Sequence, residues 1–546
     1  MKQKYLFFLF FIILFSAAFL RLYKLGEVPP GPNRDEASIG YTAYSLLQTG
    51  KDEYGRWHPL SFQSFGDWKL PLYVYATEIF VKFLGLSAFA IRLPSVIFGI
   101  GSVVLTFFLA KRLSQSLAVA FFAMFFMAFS PWSIHFSRVA SEANTAVFLT
   151  ITATIFFYKG LQKQTYFIMS AIFFALTYFT YAGNYIFTTL LVLGLTFLYR
   201  EEIFKKTYGI VAAILFILLS ISIGYITFSA NTTKISGIGI FGNSAVVHAQ
   251  IEIPRNEYAN PQSFFARLFY NRVSFAAEHF FQNYLMSFSP EFLFVKGGAN
   301  RAHNIANFGN MYLLDVLPLF LGIFYLLSIK KNKEITVVLW WFFISPIAAS
   351  ITKDAPHSAR MLAILPILPL VCSFGVFYFL SKIRQRYKQV LYIAMAGFIF
   401  AYAYSIGMYI DRYFIHFPKN ESENWGAGYQ YLTTILSADE YVGKEVIMSK
   451  PEHSPYIFLL FYSRFDPKIY QQIAIRYPIT EDGFVHVNGF NRYVFREIDW
   501  EKDMQRLNTI LIEESSSVSD SIKKMSKTKE ITLLNGKSMF TIVETK

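Results

Sequence analysis

What this sequence has least of is cysteine. Cys372 is its only one and lies in an apolar run, so neither a disulfide within the chain nor a cysteine-built metal site can hold it together. Charge is scarce as well, at 16% of residues against about 25% in ordinary soluble domains. The patterns G-x-x-x-x-G-K-[ST] and H-E-x-x-H are missing, which removes the P-loop and zinc-protease signatures. The nine His do not pair at ligand spacing, so a dedicated zinc site is not expected.

Apolar residues are abundant instead. The chain is 54% hydrophobic, with 61 Phe and 35 Tyr, a composition suited to lipid and its interfaces and far from that of disordered chains. The expected fold class is an α-helical polytopic membrane protein. Apolar runs long enough, or nearly so, to cross roughly 30 Å of hydrocarbon fall near 5–20, 93–110, 117–134, 143–158, 165–181, 184–199, 208–228, 311–329, 335–350, 361–381 and 389–409, eleven in all. The first is read as an uncleaved span rather than a signal peptide, because ten more follow it.

Net charge is +14, which in a soluble protein would suggest nucleic acid. Its location gives another explanation. The short polar breaks containing Lys2/Lys4, Lys111/Arg112, Lys159/Lys163, Arg200/Lys205/Lys206, Lys330/Lys331/Lys333 and Lys382/Arg384/Arg386/Lys388 hold sixteen basic residues against three acids. These are alternate connections of an eleven-span bundle, so the positive-inside rule puts them in the cytoplasm. Three long segments then lie outside: loops 21–92 and 229–310, and the tail 411–546. Residues 1–410 are read as the membrane domain and 411–546 as an extracytoplasmic α/β domain, since its short β-rich runs alternate with polar helical stretches. Within the first loop, Leu70–Leu86 resembles a span but has no basic cluster after it. It is read as one of two juxtamembrane helices, anchored at the interface by Trp68, Tyr73 and Tyr75.

The residues that could carry chemistry gather on the outer side. Pro29–Ala37 places adjacent Asp35 and Glu36 where a Pro/Gly-rich entry gives way to a helical run. One acid there suffices as a helix cap, whereas a pair at the membrane surface also suits deprotonation of a hydroxyl. Arg138 and Glu142, four apart, are read on one helix face, as an ion pair or as site residues at a bundle mouth. Lys69 opens the interfacial helix. Arg360 enters an apolar run with His357 one turn before it, a guanidinium and an imidazole suited to a lipid-linked phosphate. Arg301 and His303 in the second outer loop are weaker candidates.

Taken together, Asp35-Glu36 after the first span, Lys69-Leu-Pro71, Ile91-Arg-Leu-Pro-Ser95, Gln48-Thr-Gly50, Ser137–Glu142, Tyr178–Tyr181 and His357–Arg360 resemble the GT-C superfamily of membrane glycosyltransferases. More closely they resemble the dolichyl-phosphate-mannose–protein mannosyltransferase-like and lipid A aminoarabinose transferase families, over about the first 410 residues. The resemblance implies transfer of a sugar from a polyprenyl-phosphate donor to an acceptor hydroxyl of a protein or an envelope lipid or glycan, outside the cytoplasm and with inversion. Asp35 would be the base, Glu142 the acid of the second outer loop, and Lys69 and Arg360 partners of the lipid phosphate. It leaves a divalent ion open and implies no nucleic acid. The lipid A branch has Glu-Lys-Pro where this chain has Trp68-Lys-Leu-Pro, which loosens the tie to that branch. The competing reading is a lipid-linked-sugar transporter or non-catalytic lipid-binding protein, for which Asn184 and Asp315 would be mid-span polar groups.

Overall fold

A computed structural model of the chain describes residues 2–230, 239–386, 388–480, 484–525 and 527–545. Asn231-Thr-Thr, a glycosylation sequon by pattern, lies outside them. The protein is mostly helical, beginning with α1 (Lys2–Leu22) and α2 (Arg34–Thr49). A hairpin of β1 (Phe62–Ser64) and β2 (Asp67–Lys69) follows, and then α3 (Pro71–Leu84), α4 (Ala88–Ser114), α5 (Leu117–Phe129), α6 (Pro131–Ser137), α7 (Glu142–Gln162), α8 (Tyr166–Tyr178) and α9 (Asn184–Leu198). Two compact units emerge. One contains Met1–Leu22, Ser95–Ser137 and Ser141–Tyr409, and the other Tyr23–Pro94, Arg138–Ala140 and Ile410–Lys546.

The first unit is the helical bundle. Each of the eleven apolar runs is helical, but they differ in length and polarity. Among the described residues, six helices are long and apolar enough to cross a membrane, or seven if α5 and α6, bent by 56°, form one span. Tyr166–Tyr178, Asn184–Leu198 and Leu313–Ser328 are apolar but shorter. The expected count of eleven is therefore not reached on these criteria. In α7 the reason is polarity: it carries Asn144, Thr145, Thr150, Thr152 and Thr154, and the last three hydroxyls turn back to carbonyls four residues earlier. Asn184 and Asp315, expected at mid-span, stand at helix starts. Asn184 opens α9, and Asp315 accepts from the backbone N–H of Tyr312 just ahead of Val316–Ser328.

Pro131 has no N–H to continue the ladder, and α5 ends before it. The carbonyls left over are taken by Arg21, whose guanidinium donates to Met127 O (3.2 Å), Ala128 O (2.9 Å) and Ala17 O (3.1 Å), and to the hydroxyls of Ser133 (2.8 Å) and Ser137 (3.2 Å). Elsewhere the helices Val316–Ser328 and Ile367–Arg386 approach through glycines. A Cβ on Gly322 would lie 1.9 Å from Val371 O, and one on Gly375 1.9 Å from Pro318 O. Small residues permit this backbone-to-backbone contact, a major source of helix association in lipid.

The second unit joins residues 23–94 and the tail in one core. Its seven-stranded sheet is formed by β3 (Glu445–Met448), β4 (Ile475–Arg476), β5 (Val487–Phe490), β6 (Tyr493–Phe495), β7 (Thr509–Glu514), β8 (Thr528–Thr532) and β9 (Ser538–Glu544), in the order β4-β5-β6-β3-β7-β9-β8. β3 runs parallel to β6 and β7, and the outer pairs are antiparallel. Ala37, Ile39, Tyr41 and Leu46 of α2 share one buried cluster with Val446, Met448, Phe458 and Phe461. At fourteen residues, or about 21 Å at 1.5 Å per residue, α3 is too short to cross a bilayer. Tyr73, expected as an interfacial anchor, is fully buried and donates to Ile91 O at 2.8 Å. Tyr75 donates to Pro59 O at 3.0 Å.

Candidate active site

Asp35 and Glu36 occupy the first turn of α2, and their environments differ sharply. Asn33 caps the helix: its side chain accepts from Glu36 N (2.9 Å), and Glu36 Oε2 accepts from Asn33 N (3.2 Å). Just before it, Gly31 (φ +89°) has a conformation that disfavours a side chain, and its missing Cβ would sit 2.9 Å from Trp425 O. Glu36 is 1% exposed and binds Arg92 through both oxygens, Nε to Oε1 at 3.0 Å and Nη2 to Oε2 at 2.8 Å. Ala140 N adds a third donor at 2.7 Å on Oε1.

Arg92 ties the whole turn together. It is buried, donates to Leu25 O and Pro29 O at 3.0 Å and to Gly31 O at 2.5 Å, and lies over the Trp425 ring. The segment that delivers Asp35 is thus pinned from 25 to 36. Asp35 itself is 60% exposed, and Lys69 Nζ meets its Oδ1 at 2.7 Å. Lys69 ends β2 and is nearly buried. The hairpin is fixed by Ser64, whose hydroxyl bonds Ser38 on α2 at 2.6 Å. The two acids divide the work: one is locked in the fold, and the other is presented with a cation beside it.

Arg138 and Glu142 do not share a helix, which corrects the spacing argument. α6 ends at Ser137 and α7 begins at Glu142, after Ser141 caps it. Arg138 is fully buried, donates to Val28 O at 2.8 Å and lies over Phe414 and Tyr413. Glu142 opens α7 in the bundle.

The remaining candidates lie in the bundle. Arg360 Nη1 donates to Thr352 Oγ1 (2.7 Å) and pairs with Asp354 Oδ1 (2.5 Å). Burial alone would raise the Asp354 carboxyl, but the Arg360 hydrogen bond and charge hold it below its ordinary value. His357 is driven down to about 4, first by burial and then by the Arg360 charge, so its imidazole is neutral at pH 7. Its ring stands 4.9 Å from that of His303. Asn304, Asn310 and Ser358 knit the two loops together, with Ser358 Oγ 2.7 Å from Asn304 Oδ1. Arg301 is exposed on the same loop as His303. Arg360 lines a shallow surface indentation together with Tyr181, Asn184 and Ala143, the residue after Glu142. Among the described residues, no group of three or more His, Cys, Asp or Glu could hold a metal ion.

Sequence reasoning missed Arg21 and Arg92 as site-building residues. An arginine beside a span reads as snorkelling to the headgroups, and only Arg92's place in Ile91-Arg-Leu-Pro-Ser95 hinted otherwise.

Residues 10–179 match the family model of dolichyl-phosphate-mannose-protein mannosyltransferase. The structure overlays ArnT from Cupriavidus metallidurans in the apo state with a TM-score of 0.57 at 12% identity, over 100% of this chain and 98% of that one. The fold is that of ArnT. The same protein bound to undecaprenyl phosphate gives a TM-score of 0.57 at 11% identity, over 97% of both chains. The oligosaccharyltransferase AglB from Archaeoglobus fulgidus overlays with a TM-score of 0.48 at 14% identity, over 84% of this chain and 64% of that one. No curated protein matches the chain by sequence. The ArnT-like fold and the apolar helices make this a multi-pass membrane protein, and the resemblance to the GT-C superfamily holds.

Proposed function

We propose that the protein is a membrane glycosyltransferase that moves one sugar from a polyprenyl-phosphate donor to an acceptor hydroxyl, with inversion, outside the cytoplasm at the cell membrane. The observation that carries this is the Asp35–Lys69 pair, an exposed carboxylate and a nearly buried ammonium 2.7 Å apart on a helix start pinned by Arg92. Asp35 would take the proton of the acceptor hydroxyl as its oxygen attacks the anomeric carbon. The C–O bond to the donor phosphate breaks on the opposite face, and the polyprenyl phosphate leaves with both electrons.

Magnitudes support this division of roles. Breaking a buried pair such as Glu36–Arg92 costs about 3–5 kcal/mol, which unsuits Glu36 for a base that must change partners. In the Asp35–Lys69 pair the carboxylate is exposed and only the ammonium is nearly buried, so a phosphate that takes over Lys69 leaves the carboxylate more basic. The family resemblance is the ground for proposing Arg360 as a further donor-phosphate residue, with His357 as its neutral neighbour. Arg138, Arg301 and His303 are proposed as further donor-side residues, and Glu142 as a further acid of the reaction. A divalent ion, if one takes part, would arrive on the substrate phosphate rather than in a prebuilt cage. Assay in chelator reads that directly.

The acceptor is proposed to be a hydroxyl of an envelope glycan, lipid or protein. Purified protein incubated with a radiolabelled polyprenyl-phosphate sugar should turn it over in detergent, without any membrane barrier. Asp35→Asn should lower transfer about 10²–10⁴-fold, the usual worth of a general base. Wild-type rates in that variant would refute the assignment. Stable binding of the donor with no turnover by the unaltered protein would establish a carrier instead.

A further inference from the structure

The exits of two neighbouring strands in the sheet part company. β3 and β7 are parallel neighbours whose carboxyl ends are Met448 and Glu514. Side chains alternate along a strand, so Val446, Met448, Ile510 and Ile512 face one way and Ile447 and Leu511 the other. After β3 the chain enters helix Pro455–Ser463, which packs on the first face through Ile457, Phe458 and Leu460. After β7 it enters helix Asp520–Lys523, whose Ile522 packs on the second. Where exits diverge to opposite faces, the loops separate and leave room outside the carboxyl ends, the position at which α/β sheets bind ligands.

The residues at this point are polar and specifically engaged. Glu514 accepts from Lys450 Nζ at 2.8 Å and meets His453 Nδ1 at 2.9 Å, while the Ser449 hydroxyl donates to Glu513. Ser454 is 1% exposed, and its hydroxyl has no hydrogen-bond partner among the described residues. It stands at the N-cap of Pro455–Ser463, yet its left-handed backbone (φ +54°) leaves it without a capping bond. A buried hydroxyl left unpaired costs about 1–3 kcal/mol, a cost that a ligand's hydrogen bond would remove.

We propose that this edge of the sheet is a saccharide-docking site which, resting on the transferase reading above, holds the glycan part of the acceptor. Charge decides the ligand class. Glu514 already neutralises Lys450, and Glu452 and Glu513 add acids nearby, so an anionic phosphate finds no net positive field. Carboxylate acceptors alternating with ammonium, imidazole and hydroxyl groups match vicinal sugar hydroxyls, each of which both donates and accepts.

The test uses the full chain in lipid nanodiscs and calorimetric titration with two soluble trisaccharides, maltotriose and chitotriose, and with vesicles carrying a neutral glycolipid. Binding of at least one probe is expected. Ser454→Ala, and Lys450→Ala with Glu514→Gln, should each weaken it at least tenfold at an unchanged unfolding temperature. In the transfer assay the same variants should raise the acceptor KM at least tenfold, with kcat and hydrolysis of the donor by water unchanged. A response confined to glycolipid vesicles identifies a lipid-borne glycan, and a response to free trisaccharide one that needs no lipid. No binding by the unaltered protein, or undiminished binding by folded Ser454→Ala, overturns the site. Saccharide binding that is lost in the variants, in a protein that never turns over donor, would defeat the transferase reading and leave the docking site standing.

Discussion

Asp35 and Glu36 are neighbours in sequence and opposites in role. Glu36 fills its acceptor positions with Arg92, Asn33 and Ala140, while Asp35 faces outward beside Lys69. Glu36→Ala should therefore destabilise the second unit by about 3–5 kcal/mol, as a buried arginine loses its partner. Asp35→Asn should unfold at the wild-type temperature while losing transfer. Thermal unfolding beside the activity assay separates the two. The adjacent acids were legible in the sequence, and the family resemblance named Asp35 as the base, but the burial of Glu36 was not legible, because it depends on an arginine 56 residues away. His357 gives a second residue-scale test. With its pKa lowered to about 4 by burial and Arg360, it carries no charge between pH 5.5 and 8 and should add no inflection to the pH–rate profile there. Arg360→Gln should weaken donor binding at least tenfold, and His357→Gln much less. An inflection near the ordinary histidine value of about 6.5, abolished by His357→Gln, would contradict this.

At the scale of elements, the sequence announced where helices form better than where they stop. Ser130-Pro131 was a readable break signal, yet the apolar run across it read as one span. The cost of that break is met by Arg21, which satisfies the carbonyls of Met127 and Ala128. Arg138 and Glu142 likewise had helical spacing, but the Ser141 cap starts a new helix between them. Glycine contacts were not visible in sequence at all, because they depend on which helices meet. Gly322→Val would drive a side chain into the Val371 carbonyl. It should separate the helices Val316–Ser328 and Ile367–Arg386 and lower thermal stability in detergent, whereas Gly397→Val, with nothing within 4 Å of the added Cβ, should not.

For the whole molecule, the largest departure from the sequence reading is the tail. Its α/β character was legible from its composition, and it was read as a domain of its own, 411–546. Instead its Phe458, Phe461 and Tyr429 share a core with Ala37, Ile39 and Tyr41. No local pattern betrays a core assembled from the two ends of a chain. Deletion after Phe417 should thus abolish donor hydrolysis together with transfer, and intact hydrolysis by the truncated protein would show that the shared core is dispensable for it. The same core contains Glu53, fully buried, with Oε1 3.4 Å from the Tyr456 hydroxyl and Oε2 unpaired among the described residues. Burial raises its pKa to about 8, with Asp52 adding to the rise and Arg476, Tyr456 and Arg56 opposing it. The folded state therefore holds a proton that the unfolded chain releases near 4.5. Stability from this group is full below about pH 4.5 and is lost as pH rises through about 8. Hydrogen exchange in the second unit should accelerate from pH 6 to 9 beyond the intrinsic rate, and Glu53→Gln should flatten that dependence.

A core shared by residues 23–94 and 410–546 also sets a timetable. More than three hundred residues separate the two contributors, which at roughly 5–20 residues per second of synthesis is a wait of about 15–60 s. For that interval the helix bearing Asp35 has been made but its packing partners have not, and its apolar face stands open. The nascent chain must be shielded there by another protein or by the lipid surface. Newly made enzyme should therefore gain activity only after its last strand has emerged, in a single late step.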